Sequence, residues 1–358
     1  MRTADFDYDL PPELIAQVPA PCREQSRLLV LRRSTGELEH RVFSDLPHYL
    51  RPGDVLVLND SRVIAARLRG INRRTGGQFE LLLLEEVARN DWWAMLRPGK
   101  RARVGTEIAI HDSQGAPTAV VGRVLDTNPE GHRRLTFEGT ADMLQELERL
   151  GEIPLPPYIS RTDNSRRELD RERYQTVFAA AAGSVAAPTA GLHFSEALLR
   201  RIREQGVEIC FVTLHVGLAT FAPVKAETLA AHTLHEERYS LGRAAVELID
   251  KTKQAGGRVV AVGTTTVRVL ESVAAARAGR LEPACGKTRL FIHPPFTFQV
   301  VDALVTNFHL PRSTLLMLVS AFAAPGEHRG RELVLAAYAE AVRRRYRFYS
   351  YGDAMLLL

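Results

Sequence analysis

The sequence predicts an α/β protein: a mixed α/β main domain interrupted by a small β-barrel-like insert. Three observations carry this reading. From Arg173 onward, strand-like apolar runs alternate with amphipathic helices, the order that builds a partly parallel sheet. Between about Ala65 and Glu138 the texture changes to short β-like runs separated by turn signals, as in a small barrel or sandwich. A chain of 358 residues also exceeds one ordinary core, so two domains are the default. The boundaries fall near 63 and 152, giving a discontinuous α/β domain (1–62 and 152–358) around an insert (63–151).

Residues 54–59 (DVLVLN) read as a buried strand after the Pro52-Gly53 turn. In the insert, residues 79–84, 92–96, 107–110, 119–125 and 134–137 read as strands. Turn signals at Gly76-Gly77, Pro98-Gly99, Ser113-Gln-Gly115 and Asn128-Pro129 part them. Thr140 is predicted to cap a helix ending at Gly151, and the Pro-rich run 153–158 leads out of the insert. Ser195 is an N-cap, followed by Leu198, Leu199 and Ile202 on one apolar face. After Gly206 stops that helix come a strand at 207–214, a helix at 244–254 stopped by Gly256-Gly257, and a strand at 259–262. Thr266, Val269, Leu270 and Val273 mark the inner face of the next helix, followed by a strand at 303–308 and helices near 313–323 and 331–344.

Composition narrows the function classes. With 45% hydrophobic and 25% charged residues the chain reads as soluble and globular. Met1-Arg-Thr-Ala-Asp-Phe-Asp has no apolar signal core, and the longest apolar run, 315–324, is about half a membrane span. No membrane segment is therefore expected, and 315–324 should be a buried helix. Cys22, Cys210 and Cys285 form no C-x-x-C pair, which argues against a thiolate zinc site or disulfide framework and fits a reducing cytoplasm. Net charge is +5, with arginine well ahead of lysine. That suits a polyanionic partner, because guanidinium matches phosphate, but GC-rich codon usage gives the same balance. Neither G-x-G-x-x-G nor a Walker A loop occurs, which disfavours an ordinary dinucleotide or nucleoside-triphosphate site. His232-Thr-Leu-His235-Glu236-Glu237 lacks the H-E-x-x-H spacing and a third ligand, so no metal is expected.

The most informative stretch is Ser184-Val-Ala-Ala-Pro-Thr-Ala-Gly-Leu-His-Phe194, just ahead of the helix that Ser195 caps. Pro188 and Gly191 fix its backbone, Thr189 lies between them, and free N–H groups at a helix start favour an anionic or electron-rich ligand. Strand, polar turn and helix recur at Gly263-Thr264-Thr265-Thr266 and at His309-Leu-Pro-Arg-Ser313. Ligands of open α/β sheets sit beyond the carboxyl ends of strands, so these turns are candidates for one crevice. Histidine suits proton transfer near neutral pH, and His193, His215 and His309 all stand at strand ends or helix entries. The bland alternative for each is a core imidazole, and for each threonine simple N-capping. Asn59-Asp60-Ser61-Arg62 closes a strand at the domain junction, where Asp60 and Arg62 either pair with each other or line the cleft.

Further segments are Thr213-Leu-His-Val-Gly-Leu-Ala-Thr-Phe221, Ala261-Val-Gly-Thr-Thr-Thr-Val-Arg268, Thr306-Asn307-Phe-His-Leu-Pro-Arg-Ser313, Tyr346-Arg-Phe-Tyr-Ser-Tyr-Gly-Asp353 and Pro154-Leu-Pro-Pro-Tyr158. In this order they closely resemble the S-adenosylmethionine:tRNA ribosyltransferase-isomerase family of queuosine biosynthesis. The resemblance runs from Asp5-Phe6 to Met355 and is most specific from Arg173-Tyr-Gln-Thr-Val177 through Phe194 and from Asn307 through Ser320.

It implies an enzyme that moves the ribosyl part of S-adenosylmethionine onto 7-aminomethyl-7-deazaguanine at the tRNA wobble position. The ribose is isomerised to an epoxycyclopentanediol, giving epoxyqueuosine-tRNA, while adenine and methionine leave. S-adenosylmethionine is then a consumed donor, with no resident cofactor, and the family is monomeric and cytoplasmic. His193, His215, His309 and Glu237 become the candidate catalytic residues, His193 first. Asn59, Asp60, Arg62, Pro188, Thr189, Gly191, Thr264, Thr265, Thr266, Arg268 and Asn307 become the candidate substrate contacts. For tRNA the basic clusters offer Arg97, Lys100 and Arg101 in the insert, and Arg343 and Arg344 near the C-terminus, with Tyr346, Phe348 or Tyr349 as a stacking ring. The chain departs from the family pattern at Ala222 and at His293-Pro294-Pro295. Two other readings stay open: a non-catalytic RNA-binding module, and another S-adenosylmethionine-dependent tRNA-modifying enzyme.

Overall fold

The computed structural model describes residues 1–161, 163, 165–217, 224 and 226–358. The front of the chain supplies β1 (Arg27–Leu31), β2 (Leu38–Val42), β3 (Val55–Asn59) and β4 (Ser61–Val63). The insert follows with β5 (Arg67–Asn72), β6 (Gln78–Ala88), β7 (Asp91–Arg97), β8 (Glu107–His111), β9 (Pro117–Thr127), β10 (Arg133–Glu138) and α1 (Met143–Leu150). After α2 (Arg167–Arg173) come β11 (Ala181–Ser184), α3 (Glu196–Glu204), β12 (Glu208–Leu214), β13 (Glu237–Leu241), α4 (Arg243–Gln254), β14 (Val259–Val262) and α5 (Thr264–Ala276). The chain ends with β15 (Ala284–Thr288), β16 (Ala303–Asn307), α6 (Thr314–Ala323), α7 (Gly330–Arg343) and β17 (Ala354–Leu357).

Nine strands form one mixed sheet in the order β15-β13-β12-β3-β14-β16-β17-β1-β2. Its centre, β12-β3-β14-β16, is parallel throughout. Parallel strands covered on both faces read as continuous apolar runs, and every residue of β3, β14 and β16 is buried. One face packs on α4, α5 and α6, the other on α3 and the 3₁₀ turn at Phe43–Tyr49. The apolar run 315–324 is indeed a buried helix: every residue of α6 from Leu316 to Ala323 is buried.

The strands β10-β7-β6-β5-β8-β9 close into a barrel. Alternation fills it: Trp92, Ala94 and Leu96 of β7 point inward with Leu81, Leu83, Ile108, Val124 and Phe137, while their neighbours face out. α1 seals it through Met143, Leu147 and Leu150. Its N-cap is Asp142, whose carboxylate accepts from Leu144 N at 3.0 Å; the sequence reading had placed Thr140 there. Thr140 Oγ1 instead accepts from Asp142 N at 3.2 Å, one turn ahead of the helix. Strand β4 pairs in parallel with β11, tying the approach to the barrel to the loop that carries His193.

Candidate functional site

The four central parallel strands end on one edge at Leu214, Asn59, Val262 and Asn307. The turns after β14 and β16, with Val216 beyond β12, line a solvent-open cleft spanning about 650 Å³, open solvent included. Pro188 and Thr189 form one wall, Gly263, Thr264 and Thr265 another, and Thr306, Asn307 and His309 the floor. Gly263 has φ +88°, which lets α5 begin directly after β14, and its first-turn N–H groups have no side-chain cap. The cleft therefore meets the positive end of a 13-residue helix. Thr265 Oγ1 and Asn307 Oδ1 are both buried and find no partner among the described residues.

The orientation of Asn307 follows from its neighbours. Its Nδ2 donates to the Tyr349 carbonyl at 3.2 Å, an acceptor only, which fixes the amide. The same Nδ2 lies 3.1 Å from His193 Nε2, so that ring nitrogen is the acceptor and the proton sits on Nδ1, facing Ser26 Oγ at 2.7 Å. Burial, with the positive charge of Arg347 and Arg23, holds the His193 pKa down at about 3. His193 is thus a neutral imidazole with both nitrogens engaged, stacked near Phe43 at 5.0 Å, and it does not line the cleft. Its first rank as a proton-transfer group gives way to one that fits the bonds it makes, the aiming of Asn307.

His309 does line the cleft. Thr306 Oγ1 holds its Nε2 at 2.8 Å, no described residue bonds Nδ1, and burial pushes its pKa down to about 3. His215 stands apart: Ser61 Oγ meets its Nδ1 at 3.0 Å, and burial together with Arg238 lowers its pKa to about 4. Gly183, at φ +140°, leaves room for that ring; a Cβ there would lie 3.0 Å from it.

Other predicted contacts are elsewhere. Asn59 spends its side chain on Leu214 O, Leu214 N and Ser61 N, closing the ends of β3 and β12. Asp60 accepts from Thr213 Oγ1, and exposed Arg62 pairs with Glu148 rather than with Asp60. Gly191 is a packing glycine, because a Cβ would sit 2.8 Å from Phe178 and Thr176. Thr266 Oγ1 is committed to Val262 O at 2.7 Å. Glu237 and Arg268 form a buried ion pair beside a separate cavity of about 400 Å³. Leu315 lines both that cavity and the cleft.

Of the candidate stacking rings, Phe348 is fully buried and Tyr349 faces the cleft, but sequence reasoning missed its partner in the aromatic wall, Tyr158. The rings of Tyr158 and Tyr349 lie 4.7 Å apart in the cleft, and the Tyr158 hydroxyl meets Ser350 Oγ at 2.7 Å. The sequence signal for Tyr158 is the aromatic that ends the Pro-rich exit from the insert; Tyr349 takes its place with φ +70°.

Of the two basic clusters, Arg97, Lys100 and Arg101 on the barrel are exposed and form no ion pair among the described residues. Arg343 and Arg344 both pair with Glu340, and Tyr346 is 1% exposed, its hydroxyl on His40 and Arg27 over its face. Burial leaves Tyr346 no face for a base. Ala222 lies outside the described residues. At the other departure, His293 Nδ1 lies 2.9 Å from its neighbour's carbonyl, that of Pro294. No group of three His, Cys, Asp or Glu suited to a metal occurs among the described residues.

A polar-turn cleft at the carboxyl ends of a parallel sheet, with a helix start and an aromatic wall, defines an α/β enzyme of the small-molecule-binding kind. Comparison with known proteins gives the particular family. Residues 3–357 match the family model described as "Queuosine biosynthesis protein". The S-adenosylmethionine:tRNA ribosyltransferase-isomerases of Moorella thermoacetica and Carboxydothermus hydrogenoformans are 52% and 51% identical, over the whole of each chain. The crystal structure of S-adenosylmethionine tRNA ribosyltransferase from Thermotoga maritima covers 99% of this chain, and the chain all of it, at 41% identity and a TM-score of 0.55. The chain belongs to this queuosine-biosynthesis family.

Proposed function

We propose that this enzyme transfers and isomerises the ribosyl part of S-adenosylmethionine onto 7-aminomethyl-7-deazaguanine at the tRNA wobble position, in the cleft between Pro188, Gly263 and His309. The products are epoxyqueuosine-tRNA, adenine and methionine. One observation carries the siting: the turns after β14 and β16 and the loop before α3 meet around a single cleft at the free start of α5.

Each part of the donor has a chemical counterpart there. The α5 N–H groups suit its carboxylate. The Tyr158–Tyr349 wall suits the adenine ring. Asn307 Oδ1, an acceptor, suits a ribose hydroxyl. Ala187, Val216, Phe308 and Leu310 give the cleft apolar surface that excludes water. The reaction needs a base for the acidic carbon beside the sulfonium, and His309, neutral and with Nδ1 open, is the histidine in reach. Its depressed pKa keeps it from arriving protonated, so protonation of departing adenine falls to another group or to water.

The acceptor base comes from the anticodon loop, splayed out as single-stranded RNA recognition requires. The protein acts as a monomer in the cytoplasm, with no metal or resident cofactor; no helix of the described residues is long and apolar enough to cross a membrane. Chromatography of products from precursor-bearing tRNA and S-adenosylmethionine is the test. Adenine plus methionine supports this reading. S-adenosylhomocysteine means a methyltransferase, and an unchanged donor means a binding module.

A further inference from the structure

Beyond His193, and sharing Ser350 with the cleft, lies a small third pocket open to solvent, lined by Arg23, Arg173, Ser26, His193, Ser350 and Tyr351. Its two arginines stand out by their partners. Arg23 donates to the Leu192 and Glu172 carbonyls at 3.1 and 3.2 Å, and Arg173 to those of Pro21 and Ala20 at 3.2 and 2.8 Å. Neither has a carboxylate within 4.0 Å among the described residues, and Arg173 Nε is buried without a partner.

The surrounding acids are already engaged. Asp170, which accepts from the Tyr351 hydroxyl, is held through both oxygens by Arg161. Asp353 is paired with Arg27 and Arg347, and Glu24 accepts from Ser195 Oγ. Exposed Glu172 acts on Arg23 only from beyond ion-pair distance. Burial and the like charge of Arg173 both make the charged form of Arg23 harder to hold. Two fixed, half-buried, mutually repelling guanidiniums are a site short of an anion, and the guanidinium fork matches phosphate oxygens.

We infer that the Arg23–Arg173 pocket binds a backbone phosphate of the tRNA next to the wobble nucleotide. Its position supports the assignment: Ser350 lines both pocket and cleft, and His193 stands between them, bonded to Asn307 of the cleft floor. A nucleotide carries its phosphodiester within a ribose's length of its base, so a pocket that shares Ser350 with the cleft is within reach of a base held there. The inference rests on the tRNA-modifying reading above and adds to it where the RNA is gripped.

Two measurements test it. In R23Q, R173Q and the double variant, affinity for precursor-bearing tRNA should fall about tenfold per arginine, and the slope of log affinity against log salt should shrink by about 0.7 for the lost single-strand phosphate contact. Affinity for S-adenosylmethionine alone should stay within twofold. Unchanged tRNA affinity and slope in the double variant overturns the inference while leaving the cleft reading intact. Loss of adenine release by the wild-type enzyme would instead fell the cleft reading. Because both arginines also tie loops together, wild-type protein is titrated with anticodon stem-loops carrying one methylphosphonate at each linkage around the wobble position. One linkage should weaken binding about tenfold, and uniform tolerance overturns the proposal. Inorganic phosphate that binds wild-type protein without competing with tRNA marks a free-anion pocket and also overturns it.

Discussion

The barrel and the main sheet bury different things. Among the described residues from 63 to 169, no polar or charged residue is buried; the barrel core is aliphatic and aromatic throughout. The main domain buries many, and Asn59, Ser61, Ser184, His193, Thr264, Thr306, Asn307 and His309 cluster near the carboxyl ends of its strands, while Asp54, Thr252, Glu271 and Ser320 are buried elsewhere in it. Burying a polar group costs stability unless it is hydrogen-bonded, so this is a cost the main domain bears and the barrel does not. The difference separates tasks. The barrel is closed by its strand ladders around an apolar core and offers side-chain chemistry only on its outside, while the sheet edge holds pre-oriented polar atoms that a reaction requires.

The contrast breaks if a cleft residue behaves like a packing residue. His309→Ala should lower turnover by a hundred- to ten-thousand-fold, as loss of one acid–base group does, with folding retained. Single-turnover kinetics on precursor-bearing tRNA measures it, and turnover within threefold of wild type would remove His309 from the chemistry.

The next largest effect is on stability against pH. His193 and His309 have folded pKa values of about 3, below the ordinary value of about 6.5. Between those limits the unfolded chain binds protons that the native one excludes, so this stability is fully present above pH 6.5 and is lost as pH falls. At pH 5 the pair costs about 4 kcal/mol relative to pH 7. Urea unfolding at the two pH values should show it, and H193Q should lose about half as much. An identical pH dependence in H193Q would mean that His193 titrates normally.

A packing change in the barrel should do the opposite of a cleft change. Leu81→Ala removes a fully buried side chain and should cost about 3 kcal/mol, with turnover of the folded fraction unaltered. We propose that residues 63–151 form their own cooperative unit, since their core cluster is separate from those of the sheet. Calorimetry of L81A should then show an early transition for the barrel alone; one shared transition would join the two parts.

How much of this was legible depends on how local each cause is. β14 was read to the residue because a four-residue apolar run sits between Gly256-Gly257 and Gly263. β17 was not read at all: it pairs with β1 more than three hundred residues away, and nothing in Ala354–Leu357 encodes that partner. The same limit governed His193. Its loop and helix entry were visible, but its partners Ser26 and Asn307 lie 167 and 114 residues away, and they decide its tautomer and its charge. The crevice itself was legible, because strand-turn-helix order places each polar turn at a carboxyl end. The helical phase of α5 sends Arg268 to a neighbouring cavity rather than to that crevice, where it pairs with Glu237 at the start of β13.

The smallest effect sharpens the comparison from the barrel's outer face. Most arginines on its strands are neutralised: Arg134 by Asp91, Arg123 by Glu107, Arg67 by Glu80 and Arg69 by Glu152. The rim turn after β7 is the exception. Arg97, Lys100 and Arg101 are exposed without acidic partners, and Arg133 holds the turn in shape through the Gly99 and Ala102 carbonyls at 2.8 and 2.7 Å. A pre-shaped, uncompensated basic turn suits phosphate contacts that position RNA without reading it. Exposed contacts are screened, so their removal should be felt mainly at low salt. Replacing all three by glutamine should raise the KM for tRNA by about tenfold near 50 mM salt and far less near 200 mM. Turnover at saturating tRNA and affinity for S-adenosylmethionine should hold. A fall in turnover that saturating tRNA does not restore would mean that the barrel reaches the chemistry, and the division of labour between the two regions would fail.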